Sequence, residues 1–119
     1  MSLFQTGYFK LHSGQTSLFK IDCDALTDED IDTIALMLVH RLPEYGAVEG
    51  VPTGGLRLAE AMKEYIVEDN PRTLLVDDIF TTGMSMEKQR DFRNDVFGAV
   101  IFARNVTPAW ITPLFRLEP

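Results

Sequence analysis

An α/β fold, a Rossmann-like parallel sheet flanked by helices, is what this sequence predicts, and three observations predict it. Short apolar strands alternate with amphipathic helices from residue 47 onward. The connections between them are short. One strand, Thr73-Leu74-Leu75-Val76, is apolar without alternation, the mark of burial on both faces. Parallel neighbours need crossovers, helices supply them, and the crossovers are expected to be right-handed. The 119 residues make one domain, 1–119, with an N-terminal segment of about 1–26 ahead of a core of about 27–119.

The elements follow in order. Phe9 to Asp22 carries β-branched and aromatic residues around a Ser13-Gly14 turn and reads as a short hairpin or a pair of irregular strands. Thr27 can cap a helix whose first turn holds Asp28, Glu29 and Asp30, where the helix dipole favours negative charge. Ile31, Ile34, Ala35 and Leu38 give that helix an apolar face until Pro43 stops it. Ala47 to Val51 is a strand ended by Pro52-Thr53-Gly54-Gly55. Leu58, Met62, Tyr65 and Ile66 mark a second helix, closed before Asn70-Pro71. After the central strand, Thr81-Thr82-Gly83 turns the chain into a polar helix from Ser85 to Phe92. Phe97 to Ala103 and Ala109 to Leu117 are the last strands.

Composition excludes several classes of function. Lys plus Arg number 11 against 18 Asp plus Glu, a net charge of -7, which argues against a general affinity for nucleic-acid backbones. It does not exclude a small phosphorylated ligand held by backbone amides. Cys23 is the only cysteine, so there is no intrachain disulfide and no zinc site built on paired cysteines. His12 and His40 stand alone in the sequence, with no partner at ligand spacing. No apolar run approaches the ~20 residues that span a bilayer, and the start Met1-Ser2-Leu3-Phe4-Gln5 lacks signal-peptide features. A cytoplasmic setting, without membrane or nucleic acid, is the expectation.

In open parallel sheets, ligands sit beyond the carboxyl ends of the strands. The loops Pro52 to Gly55 and Phe80 to Ser85 each follow a strand directly, so both are expected on one rim. In the second, an apolar strand delivers Asp77 and Asp78, and a small turn with the hydroxyls of Thr81, Thr82 and Ser85 opens a helix. Such a turn can aim several N–H groups at a phosphate monoester. Carboxylates one sugar-length away can accept hydrogen bonds from vicinal hydroxyls. A phosphate binder beside a diol binder describes a ribose 5-phosphate site. The plain alternative, a strand end followed by a turn, explains neither adjacent acids on an apolar strand nor three hydroxyls around one glycine.

The stretch Val76 to Ser85 resembles the 5-phosphoribosyl 1-diphosphate (PRPP) signature of the type I phosphoribosyltransferases. Three further segments look like the orotate branch: Phe9 to Ser17 at the N-terminus, Gly50 to Ala59 around the glycine pair, and Phe102-Ala103-Arg104 at the end of a late strand. The resemblance implies the type I phosphoribosyltransferase fold, with the N-terminal segment as a hood over the base. It implies that Asp77 and Asp78 take the ribose hydroxyls. Thr81, Thr82, Gly83, Met84 and Ser85 would hold the 5-phosphate, Thr53, Gly54 and Gly55 the diphosphate, and Arg104 and His12 the base and hood. Magnesium would arrive with PRPP, with no metal ligand from the protein itself, and a homodimer is implied. Taken alone, Gly54-Gly55 is an ordinary turn and Arg104 a strand-end charge, and Phe9 and Phe19 read as core packing rather than base stackers.

Two departures from the family pattern stand out. His12 occupies a position where the orotate branch ordinarily has Lys. Members of the family usually insert a long mobile segment between the helix after the diphosphate loop and the central strand, and here Asp69-Asn70-Pro71-Arg72 leaves no room for it. Two functions therefore stay open: a compact, magnesium-dependent transferase joining PRPP to a pyrimidine base such as orotate in nucleotide metabolism, or a lidless module that binds PRPP or a nucleotide without turnover.

Overall fold

The structure, a computed structural model, describes residues 1–11 and 14–117. Strands β1 (Phe4–Lys10) and β2 (Thr16–Ile21) form an antiparallel hairpin. It begins earlier than the pattern from Phe9 suggests, because residues 4–6 pair with 19–21 ahead of an irregularity between Thr6 and Phe9. A two-stranded ribbon alone is marginal in water. This one is fastened at its base: Ile21 joins the main core, the Phe4 ring meets Phe102 edge-on at 5.9 Å, and Asp22 N–H donates to Leu3 O at 2.6 Å.

Helix α1 (Asp28–Val39) starts in a capping box: Thr27 Oγ1 accepts from Asp30 N–H while the Asp30 carboxylate accepts from Thr27 N–H. The acids of its first turn are exposed and Ile31, Ile34, Ala35 and Leu38 are buried, as the spacing predicts.

Four strands make the sheet: β3 (Ala47–Gly50), β4 (Thr73–Phe80), β5 (Val96–Ala103) and β6 (Ile111–Arg116). All neighbours are parallel, in the order β3-β4-β5-β6, so the carboxyl ends share one rim. Helix α2 (Leu56–Met62), prolonged by a 3-10 turn at Lys63–Tyr65, links β3 to β4, and α3 (Met84–Arg90) links β4 to β5. α3 stops short of Phe92 because Asp91 and Phe92 both take positive φ, 52° and 58°, and turn the chain away. No helix among the described residues is long and apolar enough to cross a membrane.

Apolar side chains fill both faces of the sheet. Leu74, Val76, Ala99 and Ile101 pack with α1 and α2, while Leu75, Val100 and Ala103 pack with Met86 of α3. Leu74, Leu75 and Val76 have no solvent exposure, which bears out a strand covered on both sides. The crossovers through α2 and α3 step the same way across the sheet yet lie on opposite faces, so they have opposite hands. The expectation of right-handed crossovers therefore holds for only one of them. The apolar face of α2 (Leu58, Ala59 and Met62) shares a core with α1, which settles its side of the sheet.

Candidate functional site

The loop after β3 is laid against the end of β4. Val51 N–H donates to Val76 O at 2.9 Å, Gly55 N–H to Val51 O at 2.8 Å, and Leu56 N–H to Thr53 O at 3.2 Å. The Pro52–Thr53 peptide is cis. Glycine is required here by proximity. A side chain at Gly55 would run into Val76 O, and one at Gly54 would sit 2.5 Å from Asp78 Oδ2 and 2.7 Å from its Cγ. Gly54 and the second acid, 24 residues apart in the chain, are therefore close neighbours on the shared rim. Gly54 faces the Asp78 carboxylate, while Gly55 lies against Val76 O and Val51.

Asp77 and Asp78 lie within β4, which runs on to Phe80, and both are half-buried. Each carboxylate folds back on the chain: Asp77 Oδ1 accepts from Asp78 N–H and Asp78 Oδ1 from Ile79 N–H, both at 2.8 Å. Burial, with the neighbouring Asp78 carboxyl, pushes the Asp77 carboxyl up to about 7. The Cys23 thiol stands close enough to feel both acids. Burial first, then the charges of Asp78, Asp22, Asp24 and Asp77, push it up to about 12. At neutral pH it is a protonated, unreactive thiol. Nothing in the sequence pattern points to Cys23 as a neighbour of this pair.

Beyond the acids the chain turns sharply. Gly83 takes φ 76°, and a side chain there would also collide with the Phe80 ring. Thr82 Oγ1 accepts from Met84 N–H at 3.4 Å, and Thr82, Met84 and Ser85 are exposed. Among the described residues, no protein acceptor meets the N–H groups of Thr82, Gly83 or Ser85. α3 is only two turns long, so its dipole is small and the open N–H groups belong to the loop ahead of it. Residues 81–85 form a compact, open turn rather than an extended strand.

Arg104 is placed otherwise than the strand-end reading suggests. Its guanidinium donates to Ser17 Oγ at 3.1 Å and Phe19 O at 2.9 Å, and lies 4.2 Å over the Phe19 ring. Its contacts are with the hairpin. Phe19, expected in the core, is 38% exposed beneath that guanidinium, whereas Phe9 is half-buried. Asn105, which sequence reasoning passes over, donates from Nδ2 to Thr81 O at 2.6 Å, and Arg104 N–H donates to Phe80 O at 2.9 Å. His12 lies outside the described residues. A cavity of about 650 Å³ between Leu3, Phe4, Phe102 and Leu114 shares no lining residue with these loops.

No protein-family model and no curated protein matches the sequence. Solved structures do. An orotate phosphoribosyltransferase from Aeropyrum pernix superposes with a TM-score of 0.77 at 24% identity, over 97% of this chain and 88% of that one. The fold is that of the type I phosphoribosyltransferases. The orotate phosphoribosyltransferase of Mycobacterium tuberculosis H37Rv in complex with PRPP has this phosphoribosyltransferase fold at a TM-score of 0.65, with 18% identity over 92% of this chain and 86% of that one. Leishmania donovani UMP synthase contains it as a part: TM-score 0.76, 19% identity, 97% of this chain but 34% of that one.

Proposed function

We propose that this chain binds PRPP and transfers its phosphoribosyl group to a pyrimidine base of the orotate kind, releasing diphosphate. The observation that carries this reading is the contact between Gly54 and the Asp78 carboxylate, with the open amides of Thr82, Gly83 and Ser85 farther along the same strand–turn. Diphosphate, sugar and 5-phosphate then have adjoining places: Thr53 to Gly55, Asp77 with Asp78, and Thr81 to Ser85. The reaction displaces diphosphate from the anomeric carbon through a cation-like sugar. The carboxylates orient the hydroxyls and sit near the developing positive charge, while the amides fix the phosphate. An orotate-like base attacks as an anion and needs no general base from the protein.

Among the described residues, no group of three His, Cys, Asp or Glu side chains is gathered to hold a metal. Magnesium would arrive as a passenger of PRPP, held by the substrate's phosphates and by waters rather than by a ligand set from the protein. When bound, it supplies charge neutralisation for the departing diphosphate.

A second reading rests on a specific observation. α2 and its 3-10 turn end at Tyr65 and β4 begins at Thr73, so nothing on that side closes over the rim. A lid excludes water and lends cations to the leaving group, and losing one such preorganised group costs roughly 100- to 1,000-fold in rate. A lidless chain would bind PRPP or a nucleotide without efficient turnover. Against this stands the Aeropyrum pernix protein, called an orotate phosphoribosyltransferase although this short chain covers 88% of it. Purified protein incubated with PRPP, magnesium and a panel of bases decides between them. Nucleotide and diphosphate formed together support the transferase. PRPP binding by calorimetry without product favours the module, and no binding removes both.

A further inference from the structure

The β5–β6 connection is the one link of the sheet without a helix, and its first two residues are tied to the phosphate turn. Arg104 N–H holds Phe80 O, and Asn105 Nδ2 holds Thr81 O at 2.6 Å. Two successive carbonyls of the turn are thereby fixed from outside it. In a trans peptide the C=O and the following N–H point in opposite directions. Fixing the Thr81 carbonyl toward Asn105 therefore fixes the Thr82 N–H away from it, toward the open side of the turn. On that side no protein acceptor among the described residues meets the N–H groups of Thr82 or Gly83. Turned over, the same peptide would present a carbonyl oxygen to an incoming anion and repel it.

We infer that Asn105 is a positioning residue for phosphate binding: through Thr81 O it sets the orientation of the Thr81–Thr82 peptide that receives the ligand. This rests on the functional reading above and extends it to a residue outside the signature. Asn105 is exposed and outside the buried core, so its role is separable from the stability of the fold. The Arg104 side chain, on the adjacent residue, holds the hairpin through Ser17 and Phe19. The two neighbours thus register the hood and the phosphate turn against one strand end.

The test uses the full chain with ribose 5-phosphate, measured by calorimetry and by amide NMR. Asn105→Ala is expected to weaken ribose 5-phosphate binding by about three- to tenfold, the effect of one lost hydrogen bond, at unchanged thermal midpoint. The spectroscopic signature is specific: saturating ligand shifts the Thr82 amide resonance in the wild type, and the shift shrinks in the variant while that of Ser85 persists. Should N105A not fold, Asn105→Ser, too short to reach the carbonyl, carries the same expectation. Wild-type binding with an unaltered affinity and Thr82 shift in the variant overturns this inference alone. No ribose 5-phosphate binding by the wild type overturns the functional reading and this inference with it.

Discussion

Gly54→Ala isolates the contact on which the site depends. Gly54 is not among the positive-φ residues, so alanine is free to adopt its backbone and the perturbation is purely steric. The new methyl would lie 2.5 Å from Asp78 Oδ2, and 2.7 Å from both Cγ and Oδ1, about 1 Å inside ordinary contact. The loop backbone is pinned through Gly55 and Val51, so the Asp78 carboxylate is the group that yields, and it loses its 2.8 Å bond from Ile79 N–H. Overpacking of this kind costs about 1–3 kcal/mol of stability. A carboxylate rotated off the sugar forfeits a charged hydrogen bond of about 1.5–3 kcal/mol, or roughly 10- to 150-fold in PRPP affinity. Titration calorimetry with PRPP reads the second effect and urea denaturation the first. In Gly54→Ala/Asp78→Ala the clash is gone, so stability recovers while affinity stays low. A single variant that loses stability but binds PRPP as the wild type does would place Asp78 outside the ligand site and refute the reasoning.

Two carboxylates give opposite pH signatures. Asp77 is held above its ordinary range, so it disfavours the folded state progressively as pH rises from about 4 to about 7, and Asp77→Asn should flatten that decline in urea-denaturation free energy. Glu49, paired with Arg93 at 2.8 Å, is held below its range, chiefly by that hydrogen bond. Its contribution is present above pH 4.5 and lost on acidification, and Glu49→Gln should flatten that loss. An unchanged slope in either variant contradicts the assignment. Arg104→Ala should free the hairpin, with amide exchange in β1 and β2 roughly 10- to 100-fold faster while β4 and β5 keep their protection. Uniform exchange across both sheets would count against a latch. Gly83→Val forces a β-branched residue to φ 76° against the Phe80 ring. It should cost about 1–3 kcal/mol in urea denaturation and abolish detectable ribose 5-phosphate binding. Intact binding would remove residues 81–85 from the site.

Much of this molecule was legible in one dimension, because much of its physics is local. The capping box at Thr27, the 3.6-residue spacing of Ile31, Ile34, Ala35 and Leu38, and the unbroken apolar run at 74–76 are each decided within a turn or a strand, and the structure keeps them all. The turn at residues 81–85 belongs with these, since the need for glycine at position 83 is a backbone requirement of the turn itself. The acids at 77 and 78 were legible as a pair, although the strand continues past them.

Other features required the chain to be folded. That Gly54 lies on Asp78 depends on β3 and β4 pairing in one register, which no local pattern encodes. Arg104 reads as a free strand-end cation until β2 arrives beside it. Phe19 reads as core until that guanidinium covers it instead. Asn105 carries no signal at all, since an exposed asparagine after a strand suits any turn, and its partner Thr81 is 24 residues away. The side of the sheet taken by α2 is set by its shared core with α1, which no local pattern encodes. Sequence alone fixed which residues could form strands, helices and an anion-binding turn, because propensity and periodicity act between near neighbours. Tertiary structure alone decided which of those pieces meet, because strand register and helix packing are settled by contacts between residues far apart in the chain.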